Sequence, residues 1–230
     1  MSEFVFAPAA TPSVAVADSS QRFPVHCIYC VSQNYATPGR EISSEPPVFF
    51  MKPADTIVAN GAAVPYPPST TNCQHEIELV VAIGRGGRDI SERQALEHVF
   101  GYAVGIDLTR RDLQRSAKQW GQPWDASKGF EGSAPLAAIR PAALGHVSQG
   151  RIWLTVNGEL RQESDVRHML WGVRQIIAEL STLYEVRPGD LIFCGTPAGV
   201  GAVRPGDRLE GGVDGLEVLR ITIAAARAAG

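Results

Sequence analysis

Several features that would place a chain at a glance are missing here. No apolar run approaches the roughly 18 residues that a membrane-crossing helix needs, so no membrane partner is expected. Neither sign of charge dominates. Lys and Arg number 21 against 24 Asp and Glu, a net charge of -3, which advertises no nucleic-acid surface. Cysteine is scarce, with four residues in 230. Cys27 and Cys30, in "HCIYCV", would face opposite sides of a strand and make poor joint ligands for a metal or redox pair. Buried thiols in a reducing cytoplasm are the plain reading. The N-terminus, "MSEFVFAPAATPSVAVADSS", lacks a basic start, and Pro8 and Pro12 interrupt its apolar part. It reads as a mobile or surface-hugging arm, residues 1–22, rather than a secretion signal. No fixed-period repeat and no linker follows, so residues 23–230 form one domain. What is present, 44% hydrophobic residues, suffices for one substantial core and points to a small-molecule partner.

The order of elements is strand-rich with scattered helices, which argues for an α+β fold rather than a doubly wound sheet. "FPVHCIYCV" and "VFFMKPADTIV" read as strands, and "YPPSTTN" as a loop. Ser91 and Gln94 form a capping-box pattern that predicts a helix over "SERQALEHV". "FGYAVGIDL" is a buried strand, and Thr109 with Asp112 suggests a cap for a helix "RRDLQRSAK". Asn157-Gly158 inside "RIWLTVNGELRQ" is a strong hairpin signal. Apolar residues at Met169, Leu170, Val173, Ile176, Ile177 and Leu180 predict the longest helix, with Trp171 in its core face. Short strands separated by Gly and Pro complete the chain.

The stretch "HEIELVVAIG" holds two carboxylates, Glu76 and Glu78, in a segment otherwise fit for a core. On a strand, residues two apart share a face, so the two acids project together while Ile77, Leu79 and Val81 point the other way. A divalent cation would convert their repulsion into binding, and hard carboxylate oxygens suit Mg²⁺, Mn²⁺ or Ca²⁺ better than zinc. A solvated acidic strand face is the competing reading, and the ordinary one for an isolated pair. Asp107 closes the strand "YAVGID" before a helix, where it could simply cap. Arg111 and Gln114 follow at four and seven residues, which would aim an acid, a cation and an amide together. Lys128 sits among Gly129, Gly132 and small residues that let backbone approach a ligand, though a loop lysine is usually solvated. "GTPAGVG" opens no helix and lacks the dinucleotide spacing, so it is no phosphate loop; Thr196 within it could donate to a carboxylate.

Together, "IYCVSQNYA", "FFMKPADTIV", "HEIELVVAIGRGGRDI", "GYAVGIDLTRRDLQ", "WDASKGFEGSAP" and "GTPAGVG" resemble the fumarylacetoacetate hydrolase family, closest to its short bacterial fumarylpyruvate hydrolases. The resemblance implies the family's β-rich C-terminal-domain fold, a mixed β-sandwich or roll with short helices, usually dimeric. It implies a Mg²⁺- or Mn²⁺-type ion on Glu76, Glu78 and Asp107, substrate contacts from Arg111 and Gln114, a site lysine at Lys128 and a carboxylate-binding Thr196. Asn34 and Tyr35 would support the pocket, and Trp120 and Trp124 flank the site loop. One block departs from the pattern. Family hydrolases resemble "GRNYxxHxxE", whose His and Glu activate water; here "SQNYATPGRE" keeps Glu41 but has Pro38 at the His position. Proline cannot accept a proton, so the base would be Glu41 unless His26 or His75 substitutes.

The resemblance therefore implies a cytoplasmic, homodimeric, Mg²⁺-dependent hydrolase that cleaves a carbon–carbon bond in an acylpyruvate or β-diketo acid. Fumarylpyruvate, split to fumarate and pyruvate in aromatic-compound degradation, is the nearest substrate. Two alternatives follow from Pro38: a tautomerase or decarboxylase of a 2-oxo acid such as oxaloacetate, or a metal-binding homologue without hydrolase activity.

Overall fold

A computed structural model describes residues 4–36 and 46–226; Pro38 and Glu41 lie outside the described residues. An eight-stranded mixed sheet forms the centre. Across it run Val48–Lys52, Ile28–Ser32, Leu191–Phe193, Ile77–Ile83, Val99–Ile106, Ala134–Leu136 and Ile57–Ala59, with Arg140–Pro141 also paired to Val99–Ile106. A five-stranded sheet runs Glu159–Asp165, Arg151–Val156, Arg208–Val213, Leu219–Ala224 and Ala63–Pro65. A small third sheet joins Thr109–Arg110, Cys73–His75 and Gly201–Ala202.

Strand Ile77–Ile83 explains the arrangement. All seven residues are buried, because both of its faces are covered. Ile77, Leu79, Val81 and Ile83 enter a large cluster with Ile152, Leu154, Leu209 and Ile221 of the five-stranded sheet. Val80 and Ala82 enter a second cluster on the opposite face with Ile28, Leu191 and Phe193. A strand sandwiched in this way reads as a continuous apolar run, and each fully buried aliphatic side chain contributes about 1.5–3 kcal/mol. Residues of the expected arm contribute to the second cluster. Strand Ser13–Ala15 pairs with Arg22–Pro24, and Val14 and Val16 are buried. This hairpin crosses the expected boundary between residues 22 and 23.

The Asn157-Gly158 turn joins Arg151–Val156 to Glu159–Asp165 with both residues at positive φ, 54° and 83°, as the sequence predicts. The helices differ more. The stretch expected to be helical from Ser91 forms only a 3₁₀ turn at Ala95–His98. The Ser91 hydroxyl bonds the Gln94 side chain, and the His98 carbonyl accepts from Gly84 and Arg85, drawing the chain into the sheet. Helix Arg111–Trp120 forms, but not with the expected cap. Asp112 accepts from Thr70 and Thr71, and Thr109 accepts from Lys128. The longest helix is Val173–Leu183, burying Val173, Ile176, Ile177 and Leu180. Met169, Leu170 and Trp171 precede it, and Trp171 is half-buried against the large cluster.

Candidate active site

The register between two central strands sets the acids. Ile77 pairs with Ile106 in antiparallel fashion, and the Asp107 amide donates to the Glu76 carbonyl at 2.8 Å, so Glu76 and Asp107 stand opposite each other. Glu78 lies opposite Gly105, which brings no side chain to crowd it. The result is a buried triad in which one carboxylate oxygen from each of Glu76, Glu78 and Asp107 lies within 4.8 Å of the others. These acids do not form a solvated face.

A cleft of about 430 Å³ opens over the triad. Arg111, Gln114, Lys128 and Thr196 line it as well, so all the sequence-expected site residues within the described range meet in one place. Arg111 and Gln114 sit one turn apart on helix Arg111–Trp120, and the guanidinium bonds Gln114, Gln74 and Glu76. Lys128 is not a solvated loop residue. It ends a short helix, Asp125–Lys128, and its buried Nζ donates to Glu76 at 2.8 Å, Asp107 at 2.6 Å and Thr109 at 2.6 Å. Trp124 and Tyr35 line the cleft, whereas Trp120 is 69% exposed away from it. Asn34 braces the wall, bonding the backbone of Trp171 and the carbonyl of Cys194.

Two buried polar residues add to what the motifs indicate. Lys52 Nζ lies 2.8 Å from Asp107 Oδ1 and donates to the carbonyls of Lys128 at 2.5 Å, Ser133 at 3.1 Å and Leu108 at 3.2 Å. Its sequence signal is a lone cation closing the apolar strand "VFFMK". Gln162 is the buried side chain of an otherwise open strand, and nothing in "ELRQESD" singles it out. The histidines weighed as substitute bases stand elsewhere. His26 pairs with Asp190 at 2.7 Å, and buried His75 bonds Gln162 at 2.9 Å; neither lines the cleft.

The electrostatics fit a hard cation. Burial pushes the Glu78 carboxyl well above the usual range, and the neighbouring Asp107 and Glu76 push it further. Burial acts in the same sense on Glu76, but Lys128 and Arg111 outweigh it and hold that carboxyl at about 2. Lys128 is raised although burial opposes its charge, because Asp107 and Glu76 adjoin it. Asp107 Oδ1 is buried and its one ion-pair partner among the described residues is the Lys52 ammonium at 2.8 Å, which also donates to three carbonyls. With that ammonium shared among four oxygens, Asp107 Oδ1 keeps lone pairs for a metal bond. Two oxygens on one Mg²⁺, Mn²⁺ or Ca²⁺, at roughly 2.0–2.6 Å each, stand no more than about 4–5 Å apart, which this triad meets.

Residues 27–224 match the family described as fumarylacetoacetate (FAA) hydrolase, C-terminal. A fumarylpyruvate hydrolase of Ralstonia sp is 48% identical over 181 residues, covering 79% of this chain and 94% of that protein. A mitochondrial oxaloacetate tautomerase of Rattus norvegicus is 40% identical over 200 residues, covering 85% and 90%. The crystal structure of fumarylpyruvate hydrolase from Pseudomonas aeruginosa in complex with Mn²⁺ and pyruvate superposes with a TM-score of 0.94 at 47% identity, covering 97% of this chain and 100% of that one. With the family match spanning residues 27–224 and relatives at 40–48% identity along most of their length, the chain belongs to the fumarylacetoacetate hydrolase family.

Proposed function

We propose that this enzyme, a hydrolase of carbon–carbon bonds, cleaves an acylpyruvate, fumarylpyruvate being the substrate, in the breakdown of aromatic compounds. The observation that carries the reading is the convergence of three buried carboxylates with Arg111, Gln114, Lys128 and Thr196 around one cleft. The 48% identity to the Ralstonia fumarylpyruvate hydrolase supports the acyl group.

Glu76, Glu78 and Asp107 would hold the ion, Mg²⁺ first, with Mn²⁺ or Ca²⁺ as alternatives. When bound, it supplies Lewis acidity toward a carbonyl oxygen and positive charge for a developing enolate. Water adds to the acyl carbonyl, the bond to the pyruvate methylene breaks with its electron pair, and that carbon takes a proton, giving fumarate and pyruvate. Arg111 and Gln114 orient the pyruvate carboxylate from their shared helix face. Thr196 donates to the same group. Lys128, a buried cation between two acids, stabilises negative charge as it forms. Glu41, retained where Pro38 replaces the family His, is the base, and losing the better base costs about 10²- to 10⁴-fold in rate. We further place the protein as a cytoplasmic homodimer. Its four cysteines are free thiols, as a reducing compartment allows, and Val48 and Met51 expose apolar surface on the edge strand of the large sheet.

A tautomerase acting on oxaloacetate is the second reading, favoured by Pro38 and by the 40% identical rat relative. The test is purified protein with Mg²⁺ and fumarylpyruvate, following fumarate and pyruvate. Product above the uncatalysed rate, raised further by Pro38→His, supports the hydrolase; no product alongside fast oxaloacetate tautomerisation selects the second reading.

A further inference from the structure

Gln162 lies behind the cleft wall, 1% exposed, and its amide orientation is fixed twice over. The Ile77 backbone N–H can only donate, and it meets Gln162 Oε1 at 3.1 Å, so that end is the carbonyl. The Pro197 carbonyl can only accept, and it meets Nε2 at 2.9 Å, so that end is the amine. The second Nε2 proton goes to Thr196 Oγ1 at 2.8 Å. A threonine hydroxyl that has accepted one hydrogen bond holds its own proton for another partner, and Thr196 faces the cleft. On the other side of the amide, His75 Nδ1 lies 2.9 Å from the same Oε1, which has no proton to give, so Nδ1 carries the ring proton.

We infer that Gln162 is a positioning residue that fixes Thr196 as a hydrogen-bond donor into the cleft, so that this end of the site selects a carboxylate. The inference rests on the proposed carboxylate-binding role of Thr196. Had the amide been reversed, the hydroxyl would donate to Gln162 and present only lone pairs to an anion. Ionised, Gln162→Glu makes that reversal, keeps an acceptor for Ile77 and His75, and withdraws the donor from the Pro197 carbonyl.

Two measurements test it. In the metal-free full chain, ¹⁵N NMR of His75 is expected to show the Nδ1–H tautomer; the Nε2–H tautomer overturns the assigned polarity whatever the site binds. With Mn²⁺ present, calorimetry is expected to show pyruvate affinity about tenfold weaker in Gln162→Glu and in Thr196→Val, the loss of one hydrogen bond to a charged group. The double variant should be no more than about twofold weaker than Thr196→Val, because the two residues act as a unit. Mn²⁺ affinity and melting temperature of Gln162→Glu report whether the site is intact. Wild-type affinity in Gln162→Glu, or losses that multiply in the double variant, overturns the inference alone. Wild-type affinity in Thr196→Val instead removes the carboxylate role of Thr196 and the inference with it.

Discussion

Lys52 shows how much of this site depends on a side chain that never meets the cleft. Its Nζ is enclosed by Asp107 and three carbonyl oxygens. Removing Lys52 takes the ammonium from Oδ1 and leaves three carbonyls without a donor, while Lys128 still holds Oδ2; breaking such a buried pair costs about 3–5 kcal/mol. Lys52→Met is therefore expected to lose that much stability in urea unfolding; a loss under about 1 kcal/mol would show that Lys128 alone satisfies Asp107. Glu78 gives a second expectation. Its carboxyl is raised in the folded chain, so its contribution to stability is present below the ordinary carboxylate range and is lost as pH rises through the raised value. A dication needs the carboxylate, so binding releases the proton and the metal-induced rise in melting temperature should be larger at about pH 8 than at about pH 5.5. A rise that shrinks with pH contradicts this. Glu76, Glu78, Asp107, Arg111 and Gln114 were legible because strand and helix periodicity group them. Lys52 and Gln162 were not, because their partners lie far along the chain, 55 residues from Lys52 to Asp107 and 34 to 87 residues from Gln162 to Thr196 and His75.

Elements bend to the site in ways that local rules only partly capture. The turn carrying Thr196 requires glycine. Gly199 has φ of 97°, and a Cβ there would lie 2.0 Å from the Arg161 carbonyl oxygen. At the same turn, the Gly195 amide donates to Glu78 at 2.6 Å, coupling backbone and metal site. Gly199→Ala is expected to destabilise by on the order of 2 kcal/mol or more and to weaken pyruvate binding together with it; unchanged stability would mean the turn can relax. The Asn157-Gly158 hairpin was legible because two residues settle a type I′ turn without outside help. The helix predicted from Ser91 was not formed because it spans a connection between paired strands. His98 is claimed by sheet hydrogen bonds before a second turn can close.

At the scale of the molecule, the strand-rich α+β character was readable from the sequence, while the strand order was not. Leu191–Phe193 inserts between Ile28–Ser32 and Ile77–Ile83, parallel to one and antiparallel to the other. No local pattern encodes a pairing that spans more than half the chain. The consequence for function is direct. A strand buried on both faces carries Glu78 at its start, so the acids sit against a packed core and cannot easily turn to solvent. Lys52, Lys128 and Arg111 pair with Glu76 and Asp107, and Glu78 is the acid that none of the described ion pairs reaches, which leaves it for a metal ion.

Metal binding by the triad is tested most directly by calorimetric titration of Mn²⁺ into chelator-treated protein. The account predicts about one ion bound per chain, and a loss of affinity of about 100-fold or more in each of Glu76→Ala, Glu78→Ala and Asp107→Ala. Absence of uptake by the wild type, or uptake left intact in any of the three variants, contradicts it.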